Sequence, residues 1–232
     1  MPTPFGPEIW IAEGAPVVAA AGFHYPTRMT ILRLPDGGLF VWSPVDLNGD
    51  LRTAVEALGP VRHIVAPNAL HHLHLAAWIE AFPSAKVHAA PGLRVKRPDI
   101  AFDADLGDAP DPAWGGAVDL VAMRGNRITT EVVFFHGPSR TAIFTDLIQQ
   151  LPPGWFSGWR AVIARLDLMM EAEPMVPRKF RLAFTDRRAA RVALDHILAW
   201  PAERVLMAHG TPVTQDGQAF LARAFRWLKP RD

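Results

Sequence analysis

The stretch EVVFFHGPSRTAIFTDLI, residues 131–148, holds two apolar runs on either side of the turn signal Gly137-Pro138-Ser139-Arg140. β-branched and aromatic residues dominate both runs. Near-continuous apolar runs of this kind read as buried β-strands. Just before them VDLVAMRG (residues 118–125) reads as a third strand, closed by turn chemistry at Gly125-Asn126. The second half of the chain therefore opens as a β-meander. The polar residues in these otherwise apolar strands, Asp146, Glu131 and His136, are its catalytic candidates. Glu131 and His136 stand five positions apart, so in an unbulged strand they point to opposite faces and only one faces a site. His136 reads as a surface turn residue.

Upstream, MTILRLP and LFVWSP flank Asp36-Gly37-Gly38 as a β-hairpin, and LRTAVEALG, closed by Gly59-Pro60, has helical spacing. VRHIVAP (residues 61–67) is a buried strand. Residues 69–82 carry helical spacing and end at Pro83, and AKVHAAPG is a short strand. The stretch from Arg94 to Ala117, rich in Pro, Asp and Gly, reads as a long irregular connection around one hairpin or edge strand. Downstream, a helix starts at Thr185 or Asp186 and runs to Trp200. RVLMAHG then forms a last strand, followed by a C-terminal helix around Gln218 to Leu228. Strands and helices mix in both halves, so the class is α/β or α+β with layered packing.

The chain has 232 residues, enough to bury a large core without disulfides, and residues 1–232 read as a single domain. It contains no cysteine, which removes disulfides, thiolate metal sites and cysteine nucleophiles. Twenty-four basic and 23 acidic side chains leave a net charge of +1, too little for a surface built around nucleic acid or an anionic membrane. Only four of the cations are lysines: Lys86, Lys96, Lys179 and Lys229. The N-terminus has no signal-peptide pattern, and no run of about 18 apolar residues exists, so a cytoplasmic location is expected.

Of the nine histidines, His71, His72 and His74 crowd into four positions after the strand VRHIVAP. Imidazoles at a strand end are well placed to bind a transition metal, since the strand is rigid and other loops can converge on it. Asp146, ending TAIFTD, and His209, in VLMAHG, also stand at strand ends. One carboxylate and several imidazoles suit zinc or iron, whereas magnesium or calcium wants more oxygen. The plainer reading makes these residues caps and turn formers.

The order of these features resembles the metallo-β-lactamase-fold superfamily. Its motifs are T-H-x-H-x-D-H, a T-P-G-H turn, a strand of the form LFTGD and a final G-H-G; AIFTD and MAHG look like the last two. The resemblance implies a four-layer αβ/βα sandwich with the site on one edge. Laid on APNALHHL, the first motif puts Ala66, Pro67 and Ala69 where threonine and the first two histidines belong, His71 on its aspartate and His72 on its last histidine. Gly125 and Asn126 fall on the turn's glycine and histidine, so half of the family's site is missing. What remains, His71 or His72 with Asp146 and His209, implies one zinc or iron ion, or none. Glu131 is a candidate oxygen ligand in place of the missing turn histidine. The pattern is similar to an uncharacterised branch of the superfamily, a domain of unknown function.

Two functions follow as expectations. One is a metal-dependent hydrolase that activates water at a mononuclear site, on a small-molecule substrate of unknown class. The other is a non-catalytic binding or assembly protein that keeps the fold without metal. The apolar segment from Leu151 to Met170, with Trp155, Phe156 and Trp159, is expected to close over the site or to form a homodimer contact.

Overall fold

In the computed structural model of the protein, which describes residues 1–229, two β-sheets lie face to face with helices outside both. The first sheet has the order β1 (Thr3–Gly6), β2 (Ile9–Val18), β3 (His24–Arg33), β4 (Leu39–Trp42), β5 (Val61–Ala66), β6 (Lys86–Ala89) and β7 (Ala104–Asp105). It is antiparallel from β1 to β4 and parallel from β4 to β7. The parallel half needs crossovers, and these carry α1 (Gly49–Leu58), α2 (Leu75–Ala81) and α3 (Leu93–Lys96).

The second sheet contains β8 (Val118–Met123), β9 (Glu131–His136), β10 (Thr141–Gln149) and β11 (Arg204–His209), in the order β11-β10-β9-β8. β8, β9 and β10 form the antiparallel meander, and β11 joins β10 in parallel. Its outer face is covered through α5 (Arg178–Ala183), α6 (Arg187–Ala199) and α7 (Gly217–Ala224), while α4 (Gly158–Leu166) lies in the segment after β10.

Strand alternation builds the layers. Phe40 and Trp42 of β4 join Val132 and Phe134 of β9 in the core between the sheets. Leu39 and Val41 point the other way, into the core under Leu51, Val55 and Trp78, and Val133 and Phe135 pack against Ala190, Leu194 and Ile197. The result is the expected four-layer sandwich. No helix among the described residues is long and apolar enough to cross a membrane.

Local chemistry accounts for most boundaries. Asn48 caps α1 by accepting the Leu51 N–H at 2.8 Å, and Asp186 caps α6 through Ala189 at 3.0 Å. Two expectations need correction. The helix expected over residues 69–82 begins only at Leu75, because Asn68 Oδ1 accepts the N–H groups of Leu70 and His71 and offers the backbone an alternative to a helix. The N-terminal strands leave no legible pattern in the sequence, because Pro2, Pro4, Pro7 and Pro16 interrupt it. Those prolines are tolerated at an edge strand and at the irregularity between Gly14 and Val17.

Candidate metal centre

The centre is built where β10 leaves its neighbours. Pairing with β9 runs Thr141↔His136, Ala142↔Phe135 and Ile143↔Phe134, then stops. Val132 gives its N–H instead to the carbonyl of Pro67, at 2.8 Å. On the other side, register with β11 jumps from Phe144↔Met207 to Gln149↔His209, so β10 bulges between them. The bulge leaves three backbone N–H groups in the protein interior, and the Glu131 carboxylate takes all of them: Thr145 at 2.8 Å, Asp146 at 2.8 Å and Leu147 at 3.0 Å. Buried donors need partners, and here one side chain supplies them.

Asp146 is thereby aimed at two imidazoles. His71 Nε2 lies 3.2 Å from its Oδ2 and His209 Nε2 lies 3.3 Å from its Oδ1. Ligand atoms of the three residues all lie within 4.8 Å of one another. Asn68 Nδ2 donates to Asp146 Oδ2 at 2.8 Å and Gln149 Nε2 to Oδ1 at 3.3 Å. Burial pushes the Asp146 carboxyl up, but the charges and hydrogen bonds of His71 and His209 outweigh it and hold the group well below the ordinary carboxylate range. Burial, and then the Asp146 charge, push Glu131 up to about 7 against the pull of its backbone donors.

The far side of each imidazole is also held. His209 Nδ1 lies 2.6 Å from the Pro26 carbonyl. A carbonyl only accepts, so Nδ1 carries a hydrogen and Nε2 is the nitrogen left to face Asp146, as a proton donor or as a ligand to a cation. Two lone pairs at that distance repel unless a cation or a proton lies between them. His71 Nδ1 meets Ser43 Oγ at 2.7 Å, and Ser43 has φ +51, a backbone state that costs a serine on the order of 1 kcal/mol or more. Arg28 ties the strand end bearing His209 to β3: its guanidinium donates to the carbonyls of Met207 and Gly210 at 2.6 and 2.7 Å and pairs with Glu13.

The donor set fits a transition-metal ion. Two imidazoles and a carboxylate converge, each oriented from behind by a hydrogen bond, as metal ligands require. Gln149, whose Nε2 is turned to Asp146, keeps a buried Oε1 with no donor partner beside the site. Around it lies a cavity of about 390 Å3 lined mainly by apolar side chains.

Of the two adjacent histidines, His71 joins the centre and His72 does not. The His72 ring is turned to the Arg97 guanidinium, 3.1 Å from Nδ1. The Asx turn at Asn68 points one neighbour inward and the next aside. Glu131 underlies Asp146 and spends both oxygens on backbone, so it is not an oxygen ligand. His136 is no surface residue: it is fully buried at the far end of β9, bonded to Ser139 Oγ at 2.7 Å. Five strand residues, about 16 Å, separate it from Glu131. Asn126 donates to the Phe180 carbonyl at 3.0 Å and accepts from Ile128 at 2.9 Å. In the segment 151–170, Phe156 is buried against Phe23, and Trp155 packs with the His24 ring and donates to the His24 carbonyl at 2.8 Å. The α4 residues Trp159, Val162, Ile163 and Leu166 remain exposed.

Sequence reading missed Asn68, Ser43, Arg28 and Gln149. Only Asn68 carried a signal, as the asparagine between the strand and the histidines.

Solved structures share this architecture. A metallo-β-lactamase from Pontibacter korlensis matches with a TM-score of 0.65 at 14% identity, over 100% of this chain and 99% of the other. The metallo-β-lactamase FIM-1 from Pseudomonas aeruginosa, described in its mono-zinc form, matches at 0.63 and 12% identity, over 99% and 96%. The metal-soaked Flv1 flavodiiron core from Synechocystis sp. PCC6803 matches at 0.64 and 11% identity; 98% of this chain covers 60% of that one. The chain therefore has the metallo-β-lactamase fold, and identities this low carry the fold alone. A family model described as a domain of unknown function (DUF4336) matches residues 7–95, which include His71 but neither Asp146 nor His209. No curated protein matches the sequence.

Proposed function

We propose that this protein is a metal-dependent hydrolase in which His71, Asp146 and His209 hold one zinc or iron ion. The observation that carries this reading is the pair of imidazole nitrogens set 3.2 and 3.3 Å from the two oxygens of one buried carboxylate. Two histidines and a carboxylate with open positions suit catalytic zinc or non-haem iron. Support also comes from fold relatives described as holding a single zinc ion and as a flavodiiron core. A bound ion supplies activation of water near neutral pH and polarisation of a carbonyl or phosphoryl oxygen.

The chain's own residues do the rest. Glu131 and Asn68 fix the carboxylate, and Pro26 and Ser43 fix the ring orientations. Tyr25, Phe180 and Leu70 wall the cavity and reduce bulk water around a small-molecule substrate.

The test is the ion content of protein produced without an affinity tag or added metal, with hydrolysis of ester, thioester, lactone and phosphodiester probes before and after chelation. About one zinc or iron per chain, and hydrolysis lost on chelation and restored by the ion, is the expected result. A chain that holds no ion and takes none up is a binding protein on this fold, and the hydrolase reading fails.

A further inference from the structure

Lysine is the scarce cation in this chain, four residues against twenty arginines. Yet the cavity beside Asp146 is lined by Lys96 and Lys179 and by no arginine. The two come from different halves of the fold, Lys96 from the end of α3 and Lys179 from α5. Arginines such as Arg33, Arg94 and Arg223 pair with carboxylates away from this cavity.

Charge in the cavity is one-sided. Its only acidic lining residue is Asp146, whose two oxygens already face His71, His209, Asn68 and Gln149. Lys96 Nζ donates to the Ala69 carbonyl at 2.8 Å, and no carboxylate lies within ion-pair distance of it among the described residues. An ammonium has three donors, so two remain for a ligand. Lys179 Nζ is held at 3.2 Å from the Tyr25 hydroxyl and 3.4 Å from Asp167 Oδ2, over the Tyr25 ring. It is positioned at the wall, with Asp167 as its one carboxylate partner. Apart from the four histidines, Thr27, Ser43 and Gln149, the rest of the wall is apolar, with Val18 76%, Leu73 59% and Ile128 44% exposed.

We propose that this cavity takes a small organic carboxylate, with an apolar body against Val18, Leu73, Ile128 and Phe180 and the carboxylate reading Lys96 and Lys179. This rests on the reading of the same cavity as the substrate site. The cavity, about 390 Å3, lies at the small end of ligand pockets, which limits the body to roughly the size of an aryl or branched alkyl group. Two point-like ammonium groups suit a monoanion. Phosphate recognition favours the forked guanidinium, which the lining lacks although arginine is abundant elsewhere.

The test compares 4-phenylbutanoate with its neutral amide by calorimetry on the full chain, with ion content measured in each sample. The carboxylate should bind about tenfold more tightly than the amide, in line with a charge-assisted bond. Lys96→Met should remove most of that preference, and Lys96→Met with Lys179→Met all of it. Amide affinity and ion content should stay as in the parent protein, and Lys229→Met should change nothing. Equal binding of acid and amide overturns the proposal. So does a preference that survives the double variant and disappears only when the ion is stripped, since the ion would then be reading the carboxylate. A lysine-dependent preference in protein that binds no ion upholds this inference while the hydrolase reading fails.

Discussion

The Glu131 carboxylate accepts the backbone N–H of Asp146 at 2.8 Å, so one acidic residue holds another in place through the main chain instead of through a shared ligand. With Thr145 and Leu147 it closes a break in the sheet that would otherwise strand three donors. Replacing Glu131 with glutamine leaves one acceptor oxygen and turns an NH2 group on donors that had an acceptor. Glu131→Gln should lose about 2 to 3 kcal/mol in urea unfolding and hold its ion more weakly. Unchanged stability would mean that the bulge is held by something else.

Neighbouring histidines should behave in opposite ways. His71→Ala and His209→Ala each remove one of the converging imidazoles and should abolish stoichiometric ion binding. His72→Ala removes a ring bonded to Arg97 and should leave ion content intact. Elemental analysis of the three variants decides the matter, and loss of the ion in His72→Ala alone would reverse the assignment.

Ser43 should separate stability from ion affinity. Its hydroxyl orients His71 from behind, while its backbone sits at φ +51, where glycine is more comfortable. Ser43→Gly should fold at least as stably as the parent and bind its ion about 10- to 100-fold more weakly, the usual cost of losing such a partner. Thermal unfolding of metal-free protein and competitive chelator titration measure the two effects.

Acid should destabilise the protein well above the carboxylate range. Burial pushes His88 down to about 4, with His63 and Lys86 adding to the effect, and burial alone pushes His136 to about 4. Unfolded imidazoles titrate near 6.5. Between these values the unfolded chain binds more protons, so stability is full above about pH 6.5 and falls as pH drops toward 4. Each group should cost about 2 kcal/mol by pH 5. Urea midpoints at pH 7.5 and 5 in the parent, His88→Asn and His136→Asn should show a shallower pH dependence in each variant.

Much of the architecture was legible one segment at a time. The meander of residues 118–148, the hairpin around Gly37 and the helix after Asp186 follow from periodicity and turn chemistry, because those signals are local. The N-terminal strands were not legible, since prolines hid a pattern that neighbouring strands restore. The burial of His136 was not legible either, because a polar residue before a turn looks solvated until the sheet closes over it.

The sequence by itself determined which residue types stand at strand ends: imidazoles after VRHIVA, a carboxylate after TAIFT and an imidazole after VLMA. It also determined that half of the resembling family's ligands are absent, because alanine, proline and asparagine offer no comparable donor. Only the tertiary structure decided that His71 and not His72 meets Asp146, and that Glu131 serves the backbone. The direction of a side chain off an irregular loop depends on one Asx turn and one bulge, and these are set by hydrogen bonds between segments such as Asn68 to Asp146, 78 residues apart. No local pattern encodes those bonds.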